Sequence, residues 1–149
     1  MNKNSNNPSQ EQINNLLGYY QKGRFDYAEK LATSITNEFP NHPFGWKVLG
    51  ALFGQSGRNL EALNAIQRVV KLSPRDFQAF YNLGIAFQSV NKSDKALICF
   101  DKAIELKPDY VEAYFNKGNT LKDLNKFNEA EICYKKAIKL KSNYPEAHN

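Results

Sequence analysis

At 149 residues and 42% apolar, with ten Phe and eight Tyr, the chain is long enough to bury a core and too apolar to be disordered over most of its length. Its net charge of +5 rests mainly on Lys. Arg, the residue best suited to bidentate phosphate contacts, stands only at positions 24, 58, 68 and 75, so nucleic acid is not an expected partner. No apolar run reaches the roughly 18–20 residues of a membrane span, and no charged segment followed by an apolar stretch opens the chain as a secretory signal would. The expectation is a cytoplasmic protein without a membrane partner.

The dominant signal is a period of 34 residues. Pro40, Pro74 and Pro108 are spaced by it, and Ser142 falls where a fourth proline would stand. With these at position 32 of a unit, the chain divides into a polar, disordered tail at 1–8, four repeats at 9–42, 43–76, 77–110 and 111–144, and the opening of a fifth at 145–149.

In chain order, Ser9 and Gln12 form a capping box for the first helix. Each repeat then predicts two helices. The first carries apolar residues at positions 4, 7, 8 and 11, a helical stripe. Position 4 is Gln12, Trp46, Phe80 and Tyr114, so the first repeat is divergent there. Position 8 is Leu16, Gly50, Gly84 and Gly118, and position 11 is Tyr19, Phe53, Phe87 and Leu121. A turn follows in "KGRF", "SGRN", "VNKS" and "LNKF", where Gly or Asn suits the left-handed residue that ends a helix. The second helix has alanine at position 20 throughout (Ala28, Ala62, Ala96, Ala130) and stops about two residues before the proline. Small residues at 8 and 20 let two antiparallel helices approach. In the fourth repeat Lys117 replaces the apolar residue of position 7, its stem packing while the ammonium reaches out.

The pattern aromatic-x-x-L-G-x-x-F, then A-x-x-x-F-x-x-A and a closing proline, resembles the tetratricopeptide repeat. The third repeat carries it in Phe80, Leu83, Gly84, Phe87, Ala96, Phe100, Ala103 and Pro108. The resemblance implies an all-α fold, a right-handed α-α superhelix of four helix-turn-helix repeats, in which each hairpin buries its apolar flank on its neighbour. "A-x-x-N-L-G" at Ala79–Gly84 and "A-x-x-N-x-G" at Ala113–Gly118 are also similar to the asparagine-bearing repeats of O-linked N-acetylglucosamine transferases. The stretch at 16–53 resembles the first repeats of bacterial proteins that fuse such arrays to glycosyltransferase or sulfotransferase domains, which implies a substrate-presenting module.

The chain carries no constellation for catalysis, and neither cofactor nor metal is expected. Cys99 and Cys133 hold the same position of successive repeats. Stacked hairpins place such residues about 8–10 Å apart, beyond disulfide reach, so they are expected as packed free thiols. His42 falls in an inter-repeat turn and His148 at the far end, with no ligand or nucleophile spacing around either.

What the resemblance implies instead is a concave groove that binds a protein or extended peptide. Positions 2, 5, 9 and 12 of each first helix form a second stripe, to which the second repeat contributes Lys47. The third contributes Gln78, Tyr81, Ile85 and Gln88, and the fourth Glu112, Phe115, Asn119 and Lys122. Beside it, Asn82 and Asn116 are expected to grip a peptide backbone, since an amide offers both donor and acceptor. The family's carboxylate-clamping subclass is matched at Lys47 and Asn82 but not at Ala51, Glu112 or Asn116. At the far end Tyr134, Ala137, Ile138 and Leu140 form an apolar flank without a cover. The alternatives are a fragment of a longer protein and a homo-oligomer formed through that flank.

Overall fold

The computed structural model describes residues 6–143; the start of the tail, His148 and the expected opening of a fifth repeat lie outside them. The described residues form eight α-helices and no strand. The chain divides into two compact units, Met1–Pro74 and Arg75–Asn149. The first contains α1 (Gln10–Gln21), α2 (Phe25–Glu38), α3 (Pro43–Gln55) and α4 (Asn59–Leu72). The second contains α5 (Phe77–Ser89), α6 (Ser93–Leu106), α7 (Val111–Asp123) and α8 (Phe127–Ser142).

Local chemistry sets where these helices begin and end. The Ser9 hydroxyl accepts from the Gln12 amide, and the Gln12 side chain accepts from the Ser9 amide, completing the capping box. Each first helix ends on a residue of positive φ: Gly23 at 73°, Gly57 at 76°, and Asn91 and Asn125 at 62°. The following amide reaches back five residues, from Arg24 to Tyr19, Arg58 to Phe53, Lys92 to Phe87 and Lys126 to Leu121. This is the Schellman arrangement, and asparagine tolerates the left-handed region well enough to stand in for glycine.

The second helices α2, α4 and α6 each stop two residues before a proline. Their C-caps Phe39, Ser73 and Lys107 have left helical geometry, with φ of −127°, −134° and −139°. In α8, Ser142 stands in place of that proline, and the helix runs on through it to Asn143, which is still in the right-handed helical region.

Within each hairpin the two helices meet where position 8 faces position 24. A Cβ added at Gly84 would lie 2.5 Å from the Phe100 ring, one at Gly118 2.7 Å from Tyr134, and one at Gly50 2.8 Å from Ile66. The first repeat inverts the sizes: Leu16 holds position 8 and Ala32 position 24, both fully buried in one core cluster. Large-on-small is kept in every hairpin, while the helix that supplies the large residue changes.

Polar tips tie the repeats to their preceding turns. Trp46 Nε1 donates to the Pro40 carbonyl at 2.9 Å, and the Tyr114 hydroxyl donates to the Pro108 carbonyl at 3.1 Å. His42 caps α3, its Nδ1 accepting from the Phe44 amide at 3.2 Å. Lys117 pairs with Asp101 of α6 at 2.7 Å, so its ammonium lands on a carboxylate of the neighbouring helix. Burial works to lower the Lys117 pKa, and the bond to Asp101 more than offsets it, leaving the group above its ordinary value.

Phe100 is fully buried and cannot yield, whereas Tyr134 is half-buried at the edge of the unit. Gly84→Ala should therefore lower stability by about 1–3 kcal/mol through overpacking. Gly118→Ala should change it by less than about 1 kcal/mol, because the tyrosine can shift and alanine gains about 1 kcal/mol of helix propensity. Urea unfolding of the two variants checks the order; equal losses would refute it.

Candidate functional site

The fourth repeat brings its whole expected stripe to one place. Glu112, Phe115, Asn119 and Lys122 of α7 line a cleft of ≈ 870 Å³, together with Tyr134, Ala137, Ile138 and Lys141 of α8. Period 3.6 puts the four α7 residues on one face, and the run-on of α8 carries Lys141 to the rim. The walls are mainly apolar: Phe115 is 52% exposed and Ile138 65%, while Ala137 is buried at 5%. Tyr134 packs its ring on Phe115 with centroids 5.6 Å apart, and its hydroxyl donates to Asn119 Oδ1 at 2.5 Å. Of the flank residues, Leu140 does not line the cleft. Val111, at the start of α7, and Lys141, whose place on the wall depends on where α8 ends, were not singled out from the sequence.

On the third repeat the stripe is engaged differently. Gln78 and Asn82 of α5 are exposed, and Ile85 is half-buried. Tyr81 lies with its ring against Phe100 and Tyr110, at centroid separations of 5.9 and 5.0 Å. Gln88 donates to the Thr120 hydroxyl, and also to the Asn116 carbonyl at 3.4 Å. Tyr81 and Gln88, expected to face a ligand, thus help seat α7 on α5. Lys47 is exposed on α3, in the first unit.

The paired asparagines are not equivalent. The Asn116 amide donates to the Tyr81 hydroxyl at 2.9 Å and to the Glu112 carbonyl at 3.0 Å, which commits both hydrogens and leaves Oδ1 to accept. Asn82 is open to solvent on α5.

Three phenols here are pushed up. Burial raises Tyr110 to about 12, reinforced by Tyr81 and the charges of Glu112 and Asp76. Burial also raises Tyr81, with the Glu112 charge adding and the Asn116 bond opposing. Tyr134 rises through burial and the charge of Asp123. Cys99 and Cys133 are buried free thiols, Cys99 pushed up to about 11 by burial and Cys133 raised for the same reason. Among the described residues no group of three or more His, Cys, Asp or Glu could hold a metal ion, and no helix is long and apolar enough to cross a membrane.

Comparison with known proteins defines the class. Tetratricopeptide repeat patterns match residues 77–110 and 111–144, and a further one matches 47–89, together about two thirds of the sequence. The chain belongs to the tetratricopeptide repeat family. Among solved structures it is similar to MamA from Desulfovibrio magneticus RS-1, 20% identical with a TM-score of 0.86 over 95% of this chain and 79% of that one. Another MamA crystal structure is 24% identical, with a TM-score of 0.80 over 89% of this chain and 76% of that one. At these identities the likeness establishes the fold, a tetratricopeptide-type helical solenoid. The chain is also 32% identical over 74 residues to the peroxisomal targeting signal receptor of Saccharomyces cerevisiae, a stretch covering half of this chain but 12% of the receptor's length. None of these matches carries the expected likeness to glycosyltransferase or sulfotransferase arrays; the resemblance that holds is to the repeat itself.

Asn116→Ala should cost about 1 kcal/mol by removing two donors, and Asn82→Ala less than about 0.5 kcal/mol as an exposed change. Paired urea titrations check this, and equal costs would refute the structural role of Asn116. The folded Tyr110 phenol titrates near 12 against an ordinary 10.0, so its neutral form favours folding. That contribution is complete below pH 10 and is lost as pH rises toward 12. Tyr110→Phe should flatten the loss of stability across this window, measured by denaturation at stepped pH.

Proposed function

We propose that this chain is a non-catalytic protein-binding module that holds a segment of a partner polypeptide against the second unit, over α7 and the exposed side of α5. The carrying observation is the cleft itself, an open apolar-walled hollow in which Phe115 and Ile138 stand largely exposed between the charged ends of Glu112, Lys122 and Lys141. Exposed large apolar side chains gathered in a concavity with a charged rim are the composition of a recognition surface. Asn82 and Gln78 of α5 and the Asn116 Oδ1 supply polar contacts that a peptide main chain can satisfy. The yeast relative is by name a receptor for a targeting signal, which is in keeping with a peptide-holding role for the matched stretch.

The buried, protonated thiols and the capping role of His42 support a non-catalytic reading, because these groups are occupied in packing and in a helix end. Peptides selected from a display library against the intact chain test the reading. Binding should fall more than tenfold in Phe115→Asp, at the centre of the cleft. Ile98→Asp, on an exposed position of α6, should leave it unchanged. Selected peptides that bind both variants equally would overturn the proposal.

A further inference from the structure

The outward faces of α6 and α8 carry matched apolar residues and opposed charges. Position 22 is polar in the first two repeats, Lys30 and Asn64, and isoleucine in the last two, Ile98 and Ile132. These isoleucines are 69% and 68% exposed, on the side of each helix away from its buried alanines, Ala96 and Ala130. Three and seven residues further on, at positions 25 and 29, helical spacing continues the same ridge. There α6 presents Asp101 and Glu105, and α8 presents Lys135 and Lys139, all four exposed. The first two repeats hold Thr33 and Gln67, then Asn37 and Lys71, at these positions, so acid stands against base only between α6 and α8.

The two ridges are neighbours within the second unit. Leu97 of α6 packs against the cluster that contains Ala130 and Cys133 of α8. Short turns join α6 to α7 and α7 to α8, so α6 and α8 run in the same direction.

Such a face is complementary to itself in one orientation. A two-fold axis lying in the contact plane, between α6 and α8 and parallel to them, sets α6 of one copy on α8 of the other at equal height. Ile98 then meets the second copy's Ile132, Asp101 meets its Lys135 and Glu105 meets its Lys139, and the symmetry repeats each contact. The perpendicular axis instead stacks α6 on α6 and α8 on α8, opposing acid to acid and lysine to lysine. The charges therefore select the first arrangement. Its cost is that Lys102 faces the second copy's Lys136 beside the ridge, where Glu105 holds Lys102 at 3.3 Å. Asp101 already meets Lys117, and Lys135 meets Glu131, but a carboxylate and an ammonium each accommodate more than one partner.

Broad anionic partners suit the face less. A membrane surface or a nucleic-acid duplex wide enough to meet the lysines of α8 also meets Asp101 and Glu105 beside them.

We infer that the outward face of α6 and α8 is a self-complementary docking surface, through which two copies of this chain pair as a closed two-fold dimer. The cleft, lined on α8 by Tyr134, Ala137, Ile138 and Lys141, lies on another side of that helix and stays open in the pair. The 14 residues of α6 span about 21 Å, and two such helices side by side give a footprint of about 400 Å² per copy. That is the size of a weak complex, and one joined by exposed ion pairs is sensitive to salt.

Sedimentation velocity of the intact chain in low salt, over rising concentration, tests this. A monomer–dimer equilibrium is expected, weakened several-fold by added salt and more than about tenfold by Ile132→Asp. Glu105→Lys brings lysines together at both symmetric contacts, and Lys139→Glu brings glutamates together. Each alone should weaken pairing about fivefold or more. The double variant Glu105→Lys/Lys139→Glu should recover the wild-type equilibrium. The two single variants, mixed, should pair with each other better than either pairs with itself. Recovery on recombining the charges also separates lost pairing from lost folding.

A chain that stays monomeric at every concentration, oligomers larger than a dimer, or a dimer indifferent to both charge reversals overturns the inference. So does a dimer that Ile138→Asp converts to monomer while Ile132→Asp leaves it intact, which would assign pairing to the apolar flank. Vesicles containing phosphatidylserine and poly-glutamate are the remaining probes. Saturable binding to either by a chain that does not self-associate, abolished in Lys139→Glu, would give the face to an anionic partner and overturn the dimer.

Discussion

Everything in this chain depends on how closely two helices of a hairpin can approach. At Gly84 the gap is so small that the edge of Phe100 occupies the space a Cβ would need. That contact sets the distance between α5 and α6, and a fully buried Phe100 contributes about 1.5–3 kcal/mol by leaving water. The requirement is for one large and one absent side chain, not for glycine as such. Leu16 over Ala32 meets it with the sizes exchanged, which explains how the first repeat keeps its place without the family's glycine.

A second constraint acts on the connections. The left-handed residues at 23, 57, 91 and 125 turn each first helix back on the second, and the prolines at 40, 74 and 108 end the second helix so that the next can begin. Where proline is replaced, in Ser142, the helix runs on. A single substitution in a turn thus reaches beyond the turn: it alters which rim residues, Lys141 among them, border the cleft. Here the connection between sequence and recognition runs through a helix terminus rather than through a contact residue.

Much of the fold was legible in the residues because its rules are local. The Ser9–Gln12 cap, the Asn91 and Asn125 turns and the proline stops each depend on a few neighbours in sequence. The α7 stripe was legible too, since periodicity alone puts Glu112, Phe115, Asn119 and Lys122 on one face. What periodicity could not show was which of two equivalent stripes is covered. Tyr81 and Phe115 share a position, yet Tyr81 lies under Tyr110 while Phe115 is 52% exposed, a difference set by contacts some thirty residues away. Nor could the shared position of Asn82 and Asn116 show that their surroundings differ. One amide is held by a tyrosine of the preceding repeat, and the other is open to solvent.

The two cysteines give the second unit a pair of matched internal timers. Cys99 and Cys133 sit at the same register of α6 and α8, both buried and both held as thiols by burial. Only a thiolate exposed by local opening reacts quickly with an alkylating reagent. The modification rate of each sulfur therefore measures how often its own hairpin opens. Because α8 borders the open cleft while α6 is packed between α5 and α7, Cys133 should be the faster clock.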